Sequence, residues 1–429
     1  AVTLRLASTS TANLSYFIVA GYALFGRAHV IHALALSFLF SMLSPAIAPE
    51  ASLAAVGRYA VVAASALSVL MRSGWLGKTA LRVGYPTLAT LALGALLVGH
   101  SVLVSPIVDV SVLKVISWTV VAATLLAAWG SLDDEARNRS AQDIVAGLVA
   151  IMVLSLPLLA IPSIGYLRNG AGFQGIFSQP QAFGPTMALL GAWSGARMLA
   201  ESRPQWRWVL LTGSCLVLVV LSGARTGGLG MVFGLAGAVL LVPALARRPV
   251  RVMLPGIRSR RIYLVAGAAM IGALLSGTLL TDRLGEYFSK RGEEVTSIGG
   301  AYQQSRGALI TDMMDNIAEH PWTGIGFGIA SRPDEMIVDR DPVLGLPTSA
   351  AIEKGVFPVA LVEEVGLFGA VAVLAWIWMV VRRASRASVT ALALVLTTLL
   401  LNMGENTFFS TGGLGLLPLI LLAWAATAK

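Results

Sequence analysis

Residues 208–246 read WVLLTGSCLVLVVLSGARTGGLGMVFGLAGAVLLVPALA. Two apolar runs, 208–223 and 227–246, are separated by a turn in which Arg225 is the segment's single charged residue. A run of about 20 apolar residues can cross a bilayer as a helix. In lipid every backbone polar group must be satisfied within its own segment, which favours helices. The stretch therefore predicts two membrane-spanning helices joined by a tight turn.

The composition excludes most classes of soluble protein. The chain has 429 residues, 56% of them hydrophobic and 12% charged, and its mean hydropathy is +0.78. A soluble domain carries about 25% charged residues, so this chain could not cover its surface in water. A soluble enzyme, a DNA-binding protein and a disordered protein are excluded. A disulfide scaffold is excluded as well, because Cys215 is the single cysteine.

Apolar runs recur along the whole chain and predict an all-α, polytopic integral membrane protein with about 12 transmembrane helices. The predicted spans are 12–26, 28–48, 54–71, 82–104, 110–130, 143–162, 182–199, 208–223, 227–246, 262–281, 356–381, 387–403 and 409–427. Because the first pair is short, the predicted count is 12 or 13. The sequence contains no repeated halves of the kind that many transporters have.

Basic residues cluster in the short connections on one side of the predicted spans. They are Arg72, Lys78, Arg82, Arg137, Arg139, Arg197, Arg203, Arg207, the cluster from Arg247 to Arg261, Arg382, Arg383 and Arg386. By the positive-inside rule these connections face the cytoplasm. Topology therefore explains the net charge of +9, and nucleic acid is excluded as a partner.

Residues 282–355 form one long connection of the opposite charge. They carry seven basic and twelve acidic residues, a net charge of −5, which leaves +14 for the rest of the chain. Counting spans from the basic connections puts this loop outside. The chain therefore divides into transmembrane helices in 1–281, the large outer loop with its own helices in 282–355, and C-terminal transmembrane helices in 356–429. Apolar spacing predicts a loop helix from Ala301 to His320, ended by Pro321 and followed by a glycine-rich turn.

Arg225 is a candidate functional residue because it is a lone cation at the outer ends of two spans, against the charge rule. An ionisable residue at membrane depth indicates function by default. A guanidinium grips a phosphate or pyrophosphate with two parallel hydrogen bonds. The alternative is an interfacial residue that reaches lipid phosphates.

Arg306, on the polar side of the loop helix, could form a diphosphate clamp with Arg225, although a solvated helix face explains it equally. Arg283 and Arg291, just outside the membrane, are further candidates. No aspartate pattern resembles a divalent-metal site, so arginine would neutralise a leaving group without a metal. No cofactor is expected.

Several polar residues at the predicted outer boundary are candidates for acid–base or sugar-binding roles. Glu353, where the loop re-enters the membrane beside Lys354, could accept a proton from an attacking hydroxyl; a capping or interfacial pair is the alternative. Lys354 is a candidate for binding the substrate, and so is Glu405, which lies between the last two spans. Glu363 and Glu364 lie deep in a span, and helix packing could equally explain all three of these carboxylates. Gln179 and Gln181, at an outer helix start, could contact sugar hydroxyls.

The order of these features resembles a known superfamily. Gly-Ile-Phe-Ser-Gln-Pro-Gln stands at 175–181, Ser-x-x-Arg-Thr at 222–226, His-Pro-Trp-Thr-Gly-Ile-Gly-Phe-Gly at 320–328 and Glu-Val-Gly-Leu-Phe-Gly at 364–369. This arrangement, over roughly residues 140–380, resembles the O-antigen ligase and O-antigen polymerase superfamily of bacterial envelope glycosyltransferases.

The resemblance implies a GT-C-like fold in the bacterial inner membrane, with the large loop and the active site facing the periplasm. It implies a glycan donor carried on undecaprenyl pyrophosphate, held without a metal by the motif arginines, which fall on Arg225 and Arg306. The ligase branch also has a histidine ahead of the Gly-x-x-Gly that Gly366 begins. Here Gly355 occupies that place, and Glu353 is the nearest replacement in sequence.

The function expected from this resemblance is a polysaccharide polymerase that transfers a glycan to a lipid-linked repeat unit. A ligase that transfers the glycan to lipid A–core is the alternative within the class. A flippase for lipid-linked sugars is the alternative from another class, but it would need cationic groups on both faces. The expected partners are the lipid-linked donor and acceptor and membrane lipids, with a chain-length regulator as a further candidate.

Overall fold

The computed structural model describes residues 1–73, 83–166, 172–264, 267, 298–340, 345, 347–350 and 354–428. The α-helices in these ranges are Val2–Ala7, Thr9–Ala23, Arg27–Met42, Ala54–Arg72, Tyr85–Val104, Val108–Gly130, Asp134–Ser155, Pro162–Gly165, Pro180–Ala200, Trp206–Leu221, Arg225–Ala246, Val250–Met253, Ile298–Glu319, Phe357–Ala387, Val389–Leu401 and Leu416–Thr427. Short 3-10 helices are Leu156–Ala160, Pro255–Arg258, Pro333–Glu335 and Gly413–Gly415. Two strands, Val338–Arg340 and Pro347–Ala350, pair antiparallel.

The helices confirm an all-α polytopic membrane protein. In the described residues, six helices are long and apolar enough to cross a membrane: Ala54–Arg72, Tyr85–Val104, Val108–Gly130, Asp134–Ala160, Arg225–Ala246 and Phe357–Ala387. Four shorter apolar helices accompany them: Arg27–Met42, Trp206–Leu221, Val389–Leu401 and Gly413–Thr427. Helices also occupy the predicted spans 12–26 and 182–199, as Thr9–Ala23 and Pro180–Ala200. The predicted span 262–281 lies largely outside the described residues.

Four predicted spans have ends that differ by six or more residues in the structure, among them 356–381, whose helix continues to Ala387. The helix predicted to reach residue 48 ends at Met42, because Leu43 is extended and bridges to Phe177. The helix predicted from residue 143 already begins at Asp134, where Asp133 caps it through the amide of Ala136. The last span was predicted from residue 409, but its α-helix begins at Leu416. The sequence also failed to predict the two strands in the outer loop.

The helices pack closely where small residues line their contacts. A Cβ added at Gly234 would lie 2.2 Å from Thr397 Oγ1 and 2.8 Å from the Thr397 amide nitrogen, so two backbones nearly touch there. Helices in lipid associate through such close packing, because the hydrophobic effect does not favour contact between helices in a solvent that is itself apolar. Large apolar side chains instead cover the outside of the bundle, for example Leu103 at 85% exposure and Leu240 at 75%.

Basic residues gather at one end of the bundle, which we call the basic end. Arg72 donates to the carbonyl of Leu24 at 2.6 Å. Arg383 donates to the carbonyl of Ala426 at 2.6 Å, one residue before Thr427, which lies against Gly130. These side chains satisfy the free carbonyls of helix C-termini, where a cation is also favoured by the helix dipole.

The opposite end, which we call the outer end, carries the large loop. Three backbone hydrogen bonds tie its connections together: Ser178 N to Met42 O at 2.8 Å, Phe173 N to Leu221 O at 2.9 Å and Phe357 N to Asn402 O at 3.0 Å. The loop helix Ile298–Glu319 ends before Pro321, as the sequence predicted. The strand pair is tethered by Arg340, which donates to Asp109 at 2.5 Å and to the carbonyl of Gly345 at 3.0 Å.

We predict that the two ends face opposite sides of the membrane. A cysteine at exposed Asp334 in the outer loop should react with an impermeant thiol reagent in intact spheroplasts, whereas one at exposed Ser202 should react only after lysis. The native Cys215 is fully buried and is expected to stay silent. The reverse labelling pattern would place the loop in the cytoplasm and contradict the charge argument.

Candidate active site

The helix Phe357–Ala387 is broken at Gly366, near the outer end. Gly366 has φ 63° and ψ −177°, a conformation open almost exclusively to glycine. The amide of Leu367 cannot reach the carbonyl of Glu363 within the helix and donates instead to Pro321 O at 2.9 Å. The break therefore leaves helix carbonyls free in the membrane domain, where each needs a partner.

The glycine-rich turn supplies these partners. The amide of Ile325 donates to Glu363 O at 2.9 Å, and the amide of Gly326 donates to Glu364 O at 3.0 Å. Gly324 has φ +68°, and a Cβ there would lie 2.6 Å from both Glu363 O and the Gly366 amide nitrogen. The predicted turn is thus confirmed, and its glycines allow one backbone to lie directly on another.

A buried ion cluster lies beside the break. Lys354 Nζ is 2.7 Å from Glu363 Oε2 and 3.4 Å from Glu364 Oε1, and the side chains of Lys354 and Glu363 have no exposed surface. The remaining oxygens accept from the loop: Glu363 Oε1 from Asn316 Nδ2 at 2.7 Å, and Glu364 Oε2 from the amide of Gly328 at 2.7 Å. We call Lys354, Glu363 and Glu364 the buried ion cluster.

Lys114 is a further member of this region that the sequence analysis missed. It comes from the helix Val108–Gly130, and its ammonium lies 5.7 Å from the ring centre of Phe327. A Cβ added at Gly328 would lie 2.4 Å from Lys114 Cδ, so the lysine chain packs on that backbone. Its charge also interacts with Glu364. A lone cation within the predicted span 110–130 was the signal that could have found it.

The turn before Arg225 packs against the element that carries the candidate glutamines. A Cβ at Gly184 would lie 2.3 Å from Ala224 Cβ and 2.5 Å from Ser222 Oγ. Arg225 is the first residue of its helix rather than part of the turn as predicted, and it is half-buried. Gln179 immediately precedes the neighbouring helix Pro180–Ala200 and is half-buried, while Gln181 is exposed.

The turn that carries Glu405 lies between Arg225 and Lys354. A Cβ at Gly404 would lie 2.0 Å from Thr226 Cγ2, so this turn sits directly on the residue after Arg225. On its other side, the amide of Asn406 donates to the carbonyl of Lys354 at 3.3 Å. Glu405 is half-buried. The outer end thus brings together four features. They are Arg225, the helix start that carries Gln179 and Gln181 (the glutamine element), Glu405, and the re-entering segment at Lys354.

The remaining predicted site residues are less fully described. The backbone of Arg306 lies in the helix Ile298–Glu319, as predicted, and its side chain is outside the described part. Arg283, Arg291 and Glu353 also lie outside the described residues. Lys354 was predicted to contact substrate, but its ammonium is buried against two carboxylates. Glu363 and Glu364 are buried in contact with Lys354 and the outer loop, and their role in acid–base chemistry stays a prediction.

Within the described part of the chain, no group of three or more His, Cys, Asp or Glu side chains is arranged to hold a metal ion. The mechanism without a metal remains a prediction.

Comparisons with known proteins agree with this picture. Residues 208–349 match the model of the O-antigen ligase family. The match contains Arg225, the loop helix and the glycine-rich turn, and it confirms the resemblance that the motifs carry. A comparison with curated proteins returned no match. The fold and this match together indicate a multi-pass membrane protein whose residues 208–349 are similar to the O-antigen ligase family.

We predict that Gly366→Ala destabilises the protein by at least about 2 kcal/mol. The left-handed backbone alone costs roughly 1–3 kcal/mol for alanine, and its Cβ would lie 2.2 Å from the Trp322 carbonyl oxygen. Thermal unfolding in detergent would measure this. Gly147→Ala, with nothing within 4 Å of its Cβ, is the matched control and should melt like the parent. Equal melting temperatures for the two variants would mean that the turn does not require this break.

Proposed function

We propose that the protein is a glycosyltransferase that polymerises a polysaccharide at the periplasmic face of the bacterial inner membrane. It would move a growing glycan from undecaprenyl pyrophosphate to the non-reducing end of a lipid-linked repeat unit. The observation that carries this proposal is the meeting of Arg225, the glutamine element, the Glu405 turn and the Lys354 segment at one end of the bundle. The O-antigen ligase match over 208–349 supports the reaction class.

The reaction requires mainly that the protein hold the donor and acceptor in position and supply positive charge to the leaving group. A hydroxyl of the acceptor attacks the anomeric carbon of the donor, the bond from that carbon to the pyrophosphate oxygen breaks, and the pyrophosphate leaves with the electron pair. Arginine side chains stabilise the charge that develops on the leaving group, and such stabilisation is usually the largest catalytic contribution. Arg225 lies where the helix Trp206–Leu221 ends and the helix Arg225–Ala246 begins. This location suits the binding of a lipid pyrophosphate headgroup at the membrane surface.

A second arginine would complete the clamp. Arg306 lies on the loop helix, which reaches the same end of the bundle through Asn316. Arg283 and Arg291 precede that helix and stay candidates for the same anion. Gln179 and Gln181, beside the Arg225 turn, suit sugar hydroxyls next to the diphosphate, because amide side chains both donate and accept hydrogen bonds.

The base that takes the proton of the acceptor hydroxyl is proposed to be Glu353. Lys354, its neighbour, is held by the ion cluster and by Asn406, so the chain enters the site at a fixed point. Glu363 and Glu364 are weaker candidates, because each carboxylate is already shared between Lys354 and the loop. Glu405, next to Thr226 through Gly404, is the alternative base.

Two other functions remain as alternatives. A ligase would use the same donor site and pass the glycan to lipid A–core; the absence of a histidine at Gly355 favours the polymerase. A flippase would expose cations on both faces of a central cavity. The concentration of candidate residues at the outer end favours a transferase over a flippase. Membrane lipids, and as a further candidate a chain-length regulator, would be its partners.

We predict that Arg225→Ala lowers glycan transfer at least about 30-fold, because losing one partner of a buried charged hydrogen bond costs about 2–5 kcal/mol and about 1.36 kcal/mol is a tenfold change in rate. Arg225→Lys should also fail, since lysine keeps the charge but loses the two-pronged geometry. The assay is polymer production at matched expression.

The matched control is Arg203→Ala, which removes an exposed arginine near the basic end and should transfer at the parental rate. Full polymer production by Arg225→Ala would remove this residue from the mechanism.

We predict that Glu353→Gln lowers turnover about 100-fold or more while donor affinity stays nearly unchanged, because general-base help is worth about 10²–10⁴-fold. Purified Glu353→Gln and Glu405→Gln would be compared on synthetic lipid-linked repeat units. A parental rate for Glu353→Gln together with an inactive Glu405→Gln would assign the base to Glu405.

A further inference from the structure

The buried ion cluster joins three parts of the chain at one point. Lys354 comes from the segment that re-enters the membrane, Glu363 and Glu364 from the broken helix, and their remaining oxygens hold Asn316 and Gly328 of the outer loop. Each carboxylate therefore uses one oxygen for Lys354 and the other for the loop. No member of the cluster can move without unpairing a buried charge.

Such a cluster is an expensive way to obtain stability. Burying charges carries a desolvation penalty that ion pairing offsets only in part, and apolar side chains of similar size often serve as well. The best-attested use of buried ion pairs is to select one register among several packings. The buried ion cluster holds one lysine and two glutamates, and Lys114 beside Glu364 is a second lysine, so the formal charges of the four side chains balance, which favours burial.

The pairing between the outer loop and the broken helix needs one fixed register. The glycine-rich turn is bound to the break through backbone hydrogen bonds, whose donors and acceptors are the same at every residue. At the closest contacts Gly324 and Gly366 restrict the pairing, but elsewhere the backbone leaves some freedom of register. The side-chain contacts remove that freedom, because Asn316 reaches Glu363 Oε1 at 2.7 Å while Gly328 reaches Glu364 Oε2 at 2.7 Å. Asn316 also donates to the carbonyl of Ser331 at 2.8 Å, so it fixes both sides of the turn.

We propose that Lys354, Glu363 and Asn316 are positioning residues: they fix the outer loop on the broken helix, and through it the position of the loop helix Ile298–Glu319, which carries Arg306. Asn316 is ten residues from Arg306, about 15 Å along one helix, and Lys354 directly follows Glu353. This inference rests on the proposed function for its catalytic consequence but not for its structural one. It also reassigns Lys354 from substrate binding to positioning.

A distance measurement tests the structural consequence without any activity. Spin labels on cysteines at Leu103 and Thr311, both exposed, would report the loop helix against the bundle by double electron–electron resonance. We expect one narrow distance distribution in the parent and a broader one in Asn316→Ala and Glu363→Gln. Asn316→Ala keeps the Lys354–Glu363 pair, so it should fold even if Glu363→Gln does not. Arg137→Met, which removes a buried arginine at the basic end, should leave the distribution narrow.

Turnover on synthetic lipid-linked repeat units tests the catalytic consequence. A misplacement of 1 Å can cost about 100-fold in rate, so we expect at least about a tenfold loss of turnover in Asn316→Ala and Glu363→Gln. The double variant Lys354→Met with Glu363→Leu should regain thermal stability but not turnover. Narrow distributions in both single variants would overturn the inference, as would recovery of turnover by the double variant. A broadened distribution in a protein with no transferase activity would keep the positioning role and reject the proposed function instead.

Discussion

The break at Gly366 governs the arrangement of the outer end. A helix inside a membrane satisfies its own backbone, and a helix that stops midway exposes carbonyls that lipid cannot satisfy. In this protein the glycine-rich turn satisfies them, with Ile325 and Gly326 donating to Glu363 and Glu364. The extramembrane loop is thereby built into the membrane domain through its backbone. The side-chain contacts of Asn316 and Gly328 with the ion cluster lie beside this junction.

The two ends of the bundle also differ in the contacts that their basic residues make. At the basic end, arginines cap helix carbonyls, as Arg72 and Arg383 do. At the outer end of the described residues, Arg225 begins a helix, while Lys114 and Lys354 lie near the buried carboxylates of Glu363 and Glu364. Lys354 thereby joins the broken helix to the re-entering segment, and Arg225 lies where the proposed substrate elements meet.

The sequence predicted what depends on local pattern. Apolar runs located the helices, the charge balance separated the long loop from the basic connections, and Pro321 marked the end of the loop helix. It did not predict the break, because residues 356–381 have the length and apolar content of one span, and nothing in the sequence shows that the carbonyl of Trp322 lies against Gly366. The pairing of Lys354 with Glu363 was missed for a similar reason, since neither residue reveals its partner before the chain folds.

The candidate residues also divide into those that local sequence pattern reveals and those that only the folded structure reveals. Arg225 stood out in the sequence because it breaks the charge rule, and its neighbours in space are the elements that the motifs indicated. Lys114 is likewise a lone cation in a predicted span, but the sequence analysis overlooked it. In the structure it lies against Gly328 and Phe327. Lys354 was predicted to bind substrate where the loop re-enters the membrane, yet its ammonium lies against the carboxylates of Glu363 and Glu364. Burial of a charged side chain is a tertiary property that loop composition does not predict.

Glycan transfer from a lipid pyrophosphate is the central claim, and reconstitution tests it most directly. The purified protein would be placed in liposomes with a synthetic undecaprenyl-pyrophosphate-linked repeat unit, and the lipid-linked products would be separated by size. The account predicts a ladder of longer lipid-linked glycans and the release of one undecaprenyl pyrophosphate for each new bond. Movement of the intact repeat unit across the bilayer with no ladder would contradict it and identify a transporter.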